Sequence, residues 1–228
     1  KKFNSYQSGN SLVHPEHRGK GIFQKLLNYF DTELQKKINI DFLMGFPVEQ
    51  SRNSFLRNNW NNILDMQWYM NIINPFALLF PKNQSDLLRK FTDTDKIIEE
   101  SEKRFHLAKS KDFIKWRKHY SQANQYYHFS FEEKNKKIIF ELKLSTRKKL
   151  IHELTIGNIQ TNTDDENFIC TGFNKLKSKV FSCGFISFLS IALNEKSSSP
   201  ILNILHKSGY KKVNRQIHFI VKSFIDIP

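Results

Sequence analysis

"HPEHRGKGIFQKLL", His14–Leu27, decides how the rest of the chain is read. Pro15 holds His14 extended and closes a strand. Arg18 stands ahead of two glycines, Gly19 and Gly21, which bracket Lys20. From there Ile22, Phe23, Leu26, Leu27, Phe30 and Leu34 recur at helical spacing, predicting a helix over 21–37 with one apolar stripe. A helix N-terminus offers unpaired N–H groups and the positive end of the helix dipole. Glycines permit positive φ and a close backbone approach. Together they form a cradle for a diphosphate. The same residues also suit a tight strand–helix turn that binds nothing. The turn lacks the GK[ST] ending of a P-loop and does not complete GxGxxG.

Working outward, residues 3–13 read as a strand and 40–46, "IDFLMGF", as a short buried one that Pro47 closes. Residues 51–58 suit a short helix with Ser51 as N-cap. Residues 62–73 carry Ile63, Leu64, Met66, Trp68, Met70 and Ile72, a strand composition. Strand, helix, strand, helix, strand argues an α/β unit with parallel neighbours. The turn-rich stretch "NPFALLFPKNQ", 74–84, is a boundary, and 85–119 is charged and helical in tone. Three strand-like runs follow at 125–132, 137–145 and 148–156, ended by Gly157 and "TNTDD". A helix over 165–178, a strand over 182–192, a helix over 198–208 and a strand over 210–224 complete the chain. The helix–strand–helix–strand order of 21–72 thus returns over 165–224, so we expect two related lobes.

The chain has 228 residues, with 36 Lys+Arg against 22 Asp+Glu, a net charge of +14. That balance favours a polyanionic partner such as a phosphorylated cofactor, nucleic acid or an anionic membrane surface. Richness in Asn, Ile and Phe gives a second source for the lysines, an AT-rich coding bias. Cys170 and Cys183 form no CxxC pair and have no histidines at metal-ligand spacing, so we expect no metal and two reduced thiols, as in a cytoplasmic protein. The apolar runs Phe76–Phe80 and Phe185–Leu193 are too short to span a bilayer. KKFNSYQSGN is not a signal peptide. Lysine clusters at 134–137, 147–149 and 175–179 raise a nucleic-acid reading, but no zinc finger or RNP-type run supports it, and nucleic acid is not expected as a partner.

"LVHPEHRGKGIFQKLL" resembles motif A of the GNAT superfamily of N-acyltransferases: a strand, a V-x-P turn, then [QR]-x-x-G-x-[GA] opening a helix. Arg18 matches the first position of that motif and Gly21 the fourth. Val13, Pro15, Gly19 and Leu27 also fit. "DFLMGFPVEQSRNSFLRNNW" resembles the next strand and helix, closest to a bacterial subgroup associated with surface glycans. The match covers 4–72, and the C-terminal part follows it only in element order. The resemblance implies an α/β fold with a mixed central sheet of GNAT type: an acyl-CoA-binding lobe over 1–75, a helical connector over 76–119 and a degenerate GNAT-like lobe over 120–228. It also implies further elements ahead of the strand that ends at Val13.

The function implied is acyl transfer, the acetyl group foremost, from acyl-CoA to an amine of a small molecule or amino sugar. Backbone groups of Leu12 and Val13 would pair with the pantetheine arm. Arg18, Gly19, Lys20, Gly21, Ile22 and Phe23 would hold the pyrophosphate. Three positions depart from the family. Phe23 stands where Gly or Ala is usual, Phe55 where a tyrosine acid is usual, and Val48 where Asn is usual. Tyr6, Glu49 and Ser51 are the candidates left for catalysis. His14 and His17 read as turn residues, and Trp116 and Arg117 resemble a WR pair of the subgroup. The alternative is a relative that binds acyl-CoA without turnover or serves only as a structural lobe. Acceptor and oligomeric state stay open at this point.

Overall fold

The computed structural model describes residues 4–9, 13–34, 37–79, 91, 126–148, 150–196 and 199–225. Leu12, Trp116, Arg117, residue 125 and, apart from Phe91, the stretch 85–119 expected to be helical lie outside them. The chain forms two compact units, Lys1–Gln67 with Asn214–Pro228, and Trp68–Val213. Residues 214–228 therefore belong with the first unit, although the sequence reading groups them with 120–228. The reason is a strand pairing described below.

In the first unit, β1 (Ser5–Ser8) lies parallel to β2 (Phe42–Gly45), Ser5 opposite Phe42 and Ser8 opposite Gly45. β2 is antiparallel to the strand Lys211–Ser223, Phe42 opposite Ser223 and Gly45 opposite Ile220. That strand in turn neighbours Asn61–Ile72. In chain order these two are β8 and β3. A Cβ on Gly45 would stand 3.3 Å from Ile220 Cγ1 and 3.5 Å from the Trp60 ring, so a larger residue there would have to push the Ile220 side chain aside.

The helix after β1, α1, runs Ile22–Tyr29 and widens into a π-helical turn over Phe30–Leu34. It carries apolar side chains on two faces, not one. Phe23, Leu27 and Phe30 pack onto a core of Ile40, Leu43, Phe55, Trp60 and Ile220, while Ile22, Leu26 and Tyr29 stay exposed. The helix after β2, α2, runs Glu49–Leu56 and starts two residues earlier than its sequence suggests. Val48, not Ser51, is its N-cap residue. Val48 is extended (φ −75°, ψ 159°), as an N-cap residue is, and the Ser51 hydroxyl donates back to the Val48 carbonyl at 3.1 Å. Asn59 turns the chain out of α2 with φ 59°, a conformation Asn tolerates.

In the second unit, β4 (Tyr126–Glu133), β5 (Lys136–Arg147) and β6 (Ile151–Thr161) form an antiparallel meander. Gly157 does not end it. The register slips between Glu141 and Leu142, which leaves Gly157 as the extra residue of a bulge inside β6, and the strand continues to Thr161. Helix α3 (Glu166–Phe181) then crosses to β7 (Ile186–Leu193), which is parallel to β6. Residues Trp68–Ile72 of β3 lie on the other side of β7, and helix α4 (Ser199–Lys207) leads into β8. Ile138, Phe140, Leu142, Leu154, Phe173, Leu176, Phe185 and Leu189 make a core closed to solvent. α3 packs tightly on the sheet: a Cβ on Gly172 would stand 2.8 Å from Ile138 Cγ2.

Among the described residues, no helix is long and apolar enough to cross a membrane, and no group of three His, Cys, Asp or Glu could hold a metal ion. Cys170 and Cys183 are free thiols.

Candidate active site in the first unit

β1 and β2 run the same way, so α1 and α2 both begin at the edge of the sheet where these strands end. β8 runs the opposite way and brings residues N-terminal to Ile220 to that same edge. This is the edge where open α/β sheets place ligands.

The turn into α1 is built from the quoted residues. Pro15–His17 forms one 3₁₀ turn, with His17 N–H donating to the His14 carbonyl and Arg18 N–H to the Pro15 carbonyl. Arg18 Nε donates to the Val13 carbonyl at 3.1 Å, which braces the turn against the residue two places before Pro15, while β1 itself ends at Ser8, short of the strand expected over 3–13. Gly19 (φ 74°) and Gly21 (φ 69°) are both left-handed, the region where an L side chain is strained. Gly21 is the N-cap of α1. No side chain caps this end, and no acidic residue stands in its first turn. A Cβ on either glycine would meet nothing within 4 Å, so these positions need glycine for their backbone shape. Lys20, Ile22 and the two histidines of the turn are exposed. Phe23 is half-buried and packs edge-on against Phe55, ring centroids 5.1 Å apart. A bulky residue at that motif position thus belongs to the core behind the turn and does not fill the turn itself.

Phe55 is 5 % exposed and is held between Phe23 and Trp60, whose ring lies 4.9 Å away. The position where the family resemblance seeks an acid therefore faces the core. Tyr6 is exposed on β1. Ser51 is spent on Val48.

Glu49 opens α2, and its side chain is 70 % exposed. It is not alone. Glu49 Oε2 lies 2.6 Å from Nε2 of His218 on β8, and Nδ1 of the same ring lies 2.7 Å from Asp65 Oδ1 on β3. His218 is buried at 5 % exposure. Arg52 Nη1 stands 3.9 Å from Glu49 Oε1, and Asn62 Nδ2 donates to Asp65 at 3.2 Å. Burial would raise the Asp65 pKa. The hydrogen bonds from His218 and Asn62 and the charges of His218 and Arg52 outweigh it and hold the carboxyl below its usual range. A neutral imidazole has one N–H, so two carboxylate contacts require one further proton on the ring or on a carboxyl. The cluster thus runs from Glu49 through the buried His218 to Asp65, and both carboxylates reach solvent, Glu49 at 70 % and Asp65 at 41 % side-chain exposure.

Sequence reasoning reached Glu49 but missed His218 and Asp65. The available signal was a polar residue inside an apolar run: Asp65 between Leu64 and Met66, His218 between Ile217 and Phe219.

No family model and no curated protein sequence matches the chain. Solved structures do. A tandem GNAT protein from the clavulanic acid biosynthesis pathway matches at TM-score 0.56 and 10% identity, over 99% of this chain and 77% of that one. A putative acetyltransferase from Pyrococcus horikoshii matches at TM-score 0.51 and 10% identity, over 96% and 66%. A GCN5-related N-acetyltransferase from Anabaena variabilis matches at TM-score 0.47 and 11% identity, over 92% of this chain but 53% of its own length. The chain thus spans about half of the last protein.

Proposed function

The chain has the GNAT fold, in two lobes, and we propose that it is an acyl-CoA-dependent N-acyltransferase. The group moved is acetyl, and the acceptor is an amine of a small molecule or amino sugar. One observation carries this reading. The turn into α1 has two left-handed glycines and an N-terminus that no side chain caps, and it lies where two parallel strands end together. N–H groups from Gly19 to Phe23 hold the pyrophosphate of acyl-CoA, with Arg18 and Lys20 beside them. Leu12 and Val13 pair with the pantetheine arm through backbone groups. Direct transfer then needs a base for the amine proton.

The test is calorimetric titration of the chain with CoA and acetyl-CoA, alongside thiol release from acetyl-CoA in the presence of amines. We expect micromolar binding that Arg18→Glu abolishes without lowering the melting temperature. A second reading is favoured by the burial of Phe55 and by Val48 serving only as a cap: a relative that binds acyl-CoA and does not turn it over. CoA binding without thiol release selects that reading. Unchanged CoA affinity in Arg18→Glu sinks the assignment of the turn.

A further inference from the structure

We propose that Glu49 takes the proton from the acceptor amine, and that His218, anchored by Asp65, positions Glu49 and shares that proton. The inference rests on the acyltransfer reading above and deepens it by naming the proton path. Three elements of the first unit build the array: the start of α2 (Glu49), β3 (Asp65) and β8 (His218). It stands at the sheet edge where α1 also begins, because β8 is antiparallel to β2 and its residue 218 falls just past the last pair, Gly45 with Ile220.

The division of labour follows from burial and distance. Glu49 is the more exposed of the two carboxylates, 70 % against 41 % for Asp65, and it is the member placed to touch an acceptor. His218 is closed to solvent and acts through Glu49, so it is a positioning residue. An isolated surface glutamate is a weak base at neutral pH. Here its oxygen lies 2.6 Å from Nε2, and Asp65 holds the opposite ring nitrogen. In the working form the array carries one proton fewer: His218 donates Nδ1–H to Asp65, and its Nε2 and Glu49 Oε2 are two acceptors that face each other with room for one proton between them. As the amine nitrogen attacks the thioester carbon, the C–N bond forms and the C–S bond breaks with its electron pair on sulfur. The nitrogen proton passes to Glu49 and settles between Oε2 and Nε2, stabilised by the Asp65 charge. The thiolate takes a proton from water, and the array returns its own to water. Arg52 on α2 and Asn62 on β3 are the other charged or polar groups on the array, and neither supplies a proton acceptor.

The experiment compares the whole chain with His218→Gln, Asp65→Asn and Glu49→Gln. Glucosamine, L-lysine, spermidine and hydroxylamine serve as probe amines, from about pH 6 to about pH 10. Acetyl-CoA binding is measured in parallel by calorimetry and folding by thermal melting. We expect all three variants to bind acetyl-CoA as the parent does. Glu49→Gln should lose about 100-fold or more in kcat. His218→Gln and Asp65→Asn should move the acid limb of kcat/KM to lower pH, Asp65→Asn with the smaller loss in rate. A lower rate with an unmoved acid limb in both variants overturns the inference, because a merely structural histidine behaves that way. Acetyl-CoA binding without thiol release for any probe amine also overturns it, while leaving the binding reading intact. Absence of acetyl-CoA binding in the parent removes both. Should His218→Gln fail to fold, Asp65→Asn and Glu49→Gln decide.

Discussion

The chain makes the same connection twice and finishes it in opposite ways. β1–α1–β2 and β6–α3–β7 are both a strand, a helix and a parallel strand. In the second, Asp165 caps α3: its carboxylate accepts from Asn167 N–H at 2.9 Å and Phe168 N–H at 3.1 Å, and Lys136 Nζ donates to it at 2.5 Å. Glu166 adds a further negative charge to that first turn. In the first, Gly21 replaces the capping residue, the backbone is left-handed, and the neighbours are Arg18 and Lys20. A helix N-terminus favours a negative charge. The second lobe supplies one from its own sequence, whereas the first surrounds the place for one with cations. On the proposed function, this contrast separates a helix end left open for an outside anion from one whose own side chains close it.

The strongest way to break the contrast is to write the second turn into the first. Gly21→Asp places a carboxylate where the pyrophosphate is proposed to sit, and CoA affinity should fall by about 100-fold or more, roughly 2.7 kcal/mol or above. Gly21→Asn, similar in shape and neutral, should lose much less. Calorimetry on both variants reads the difference, and equal losses would point to backbone strain instead of charge.

Two packing variants come next. Phe55→Tyr sets a hydroxyl between Phe23 and Trp60, so it should cost about 1–3 kcal/mol in urea melts and add no turnover. A gain in thiol release would show that position 55 reaches the site after all. Gly172→Ala forces Ile138 aside in the second unit and should also cost about 1–3 kcal/mol, with CoA binding untouched.

The smallest effect is at the closed end. Hydrogen bonding from Lys136, followed by the N–H of Phe168, lowers the Asp165 pKa below its ordinary value. A carboxylate with a lowered folded-state pKa contributes stability that is fully present above its unfolded pKa, about 3.9. That stability is lost as pH falls through the lowered value. Asp165→Asn should therefore lower the melting temperature at neutral pH and flatten its decline below about pH 4. A parallel acid decline in both proteins would remove Asp165 from the account.

Much of the fold was legible in local pattern. The turn glycines, the helix spacing after Gly21 and the alternation of residues 62–73 place β1, α1 and β3 in order. Element boundaries were less legible where a neighbour sets them. Ser51 looks like a cap, but the extended residue is Val48, so α2 starts at Glu49 and the Ser51 hydroxyl turns back to the Val48 carbonyl. Gly157 looks like a stop, but β5 continues to pair beyond it and turns it into a bulge. The glycine turn could be read because it is contiguous. The cluster of Glu49, Asp65 and His218 could not, because these residues meet only through the pairing of β2 with β8 and of β8 with β3. No spacing along the chain signals that meeting.

That pairing also sets an order in time. A ribosome releases Lys1–Gln67 early, but the first unit is incomplete until Asn214–Pro228 emerge. At about 5–20 residues per second the nascent first unit waits roughly 7–30 s with β2 and β3 lacking the strand that lies between them. The lobe made first is the lobe finished last, and for that interval its open strand edges are available to chaperones and to other nascent chains.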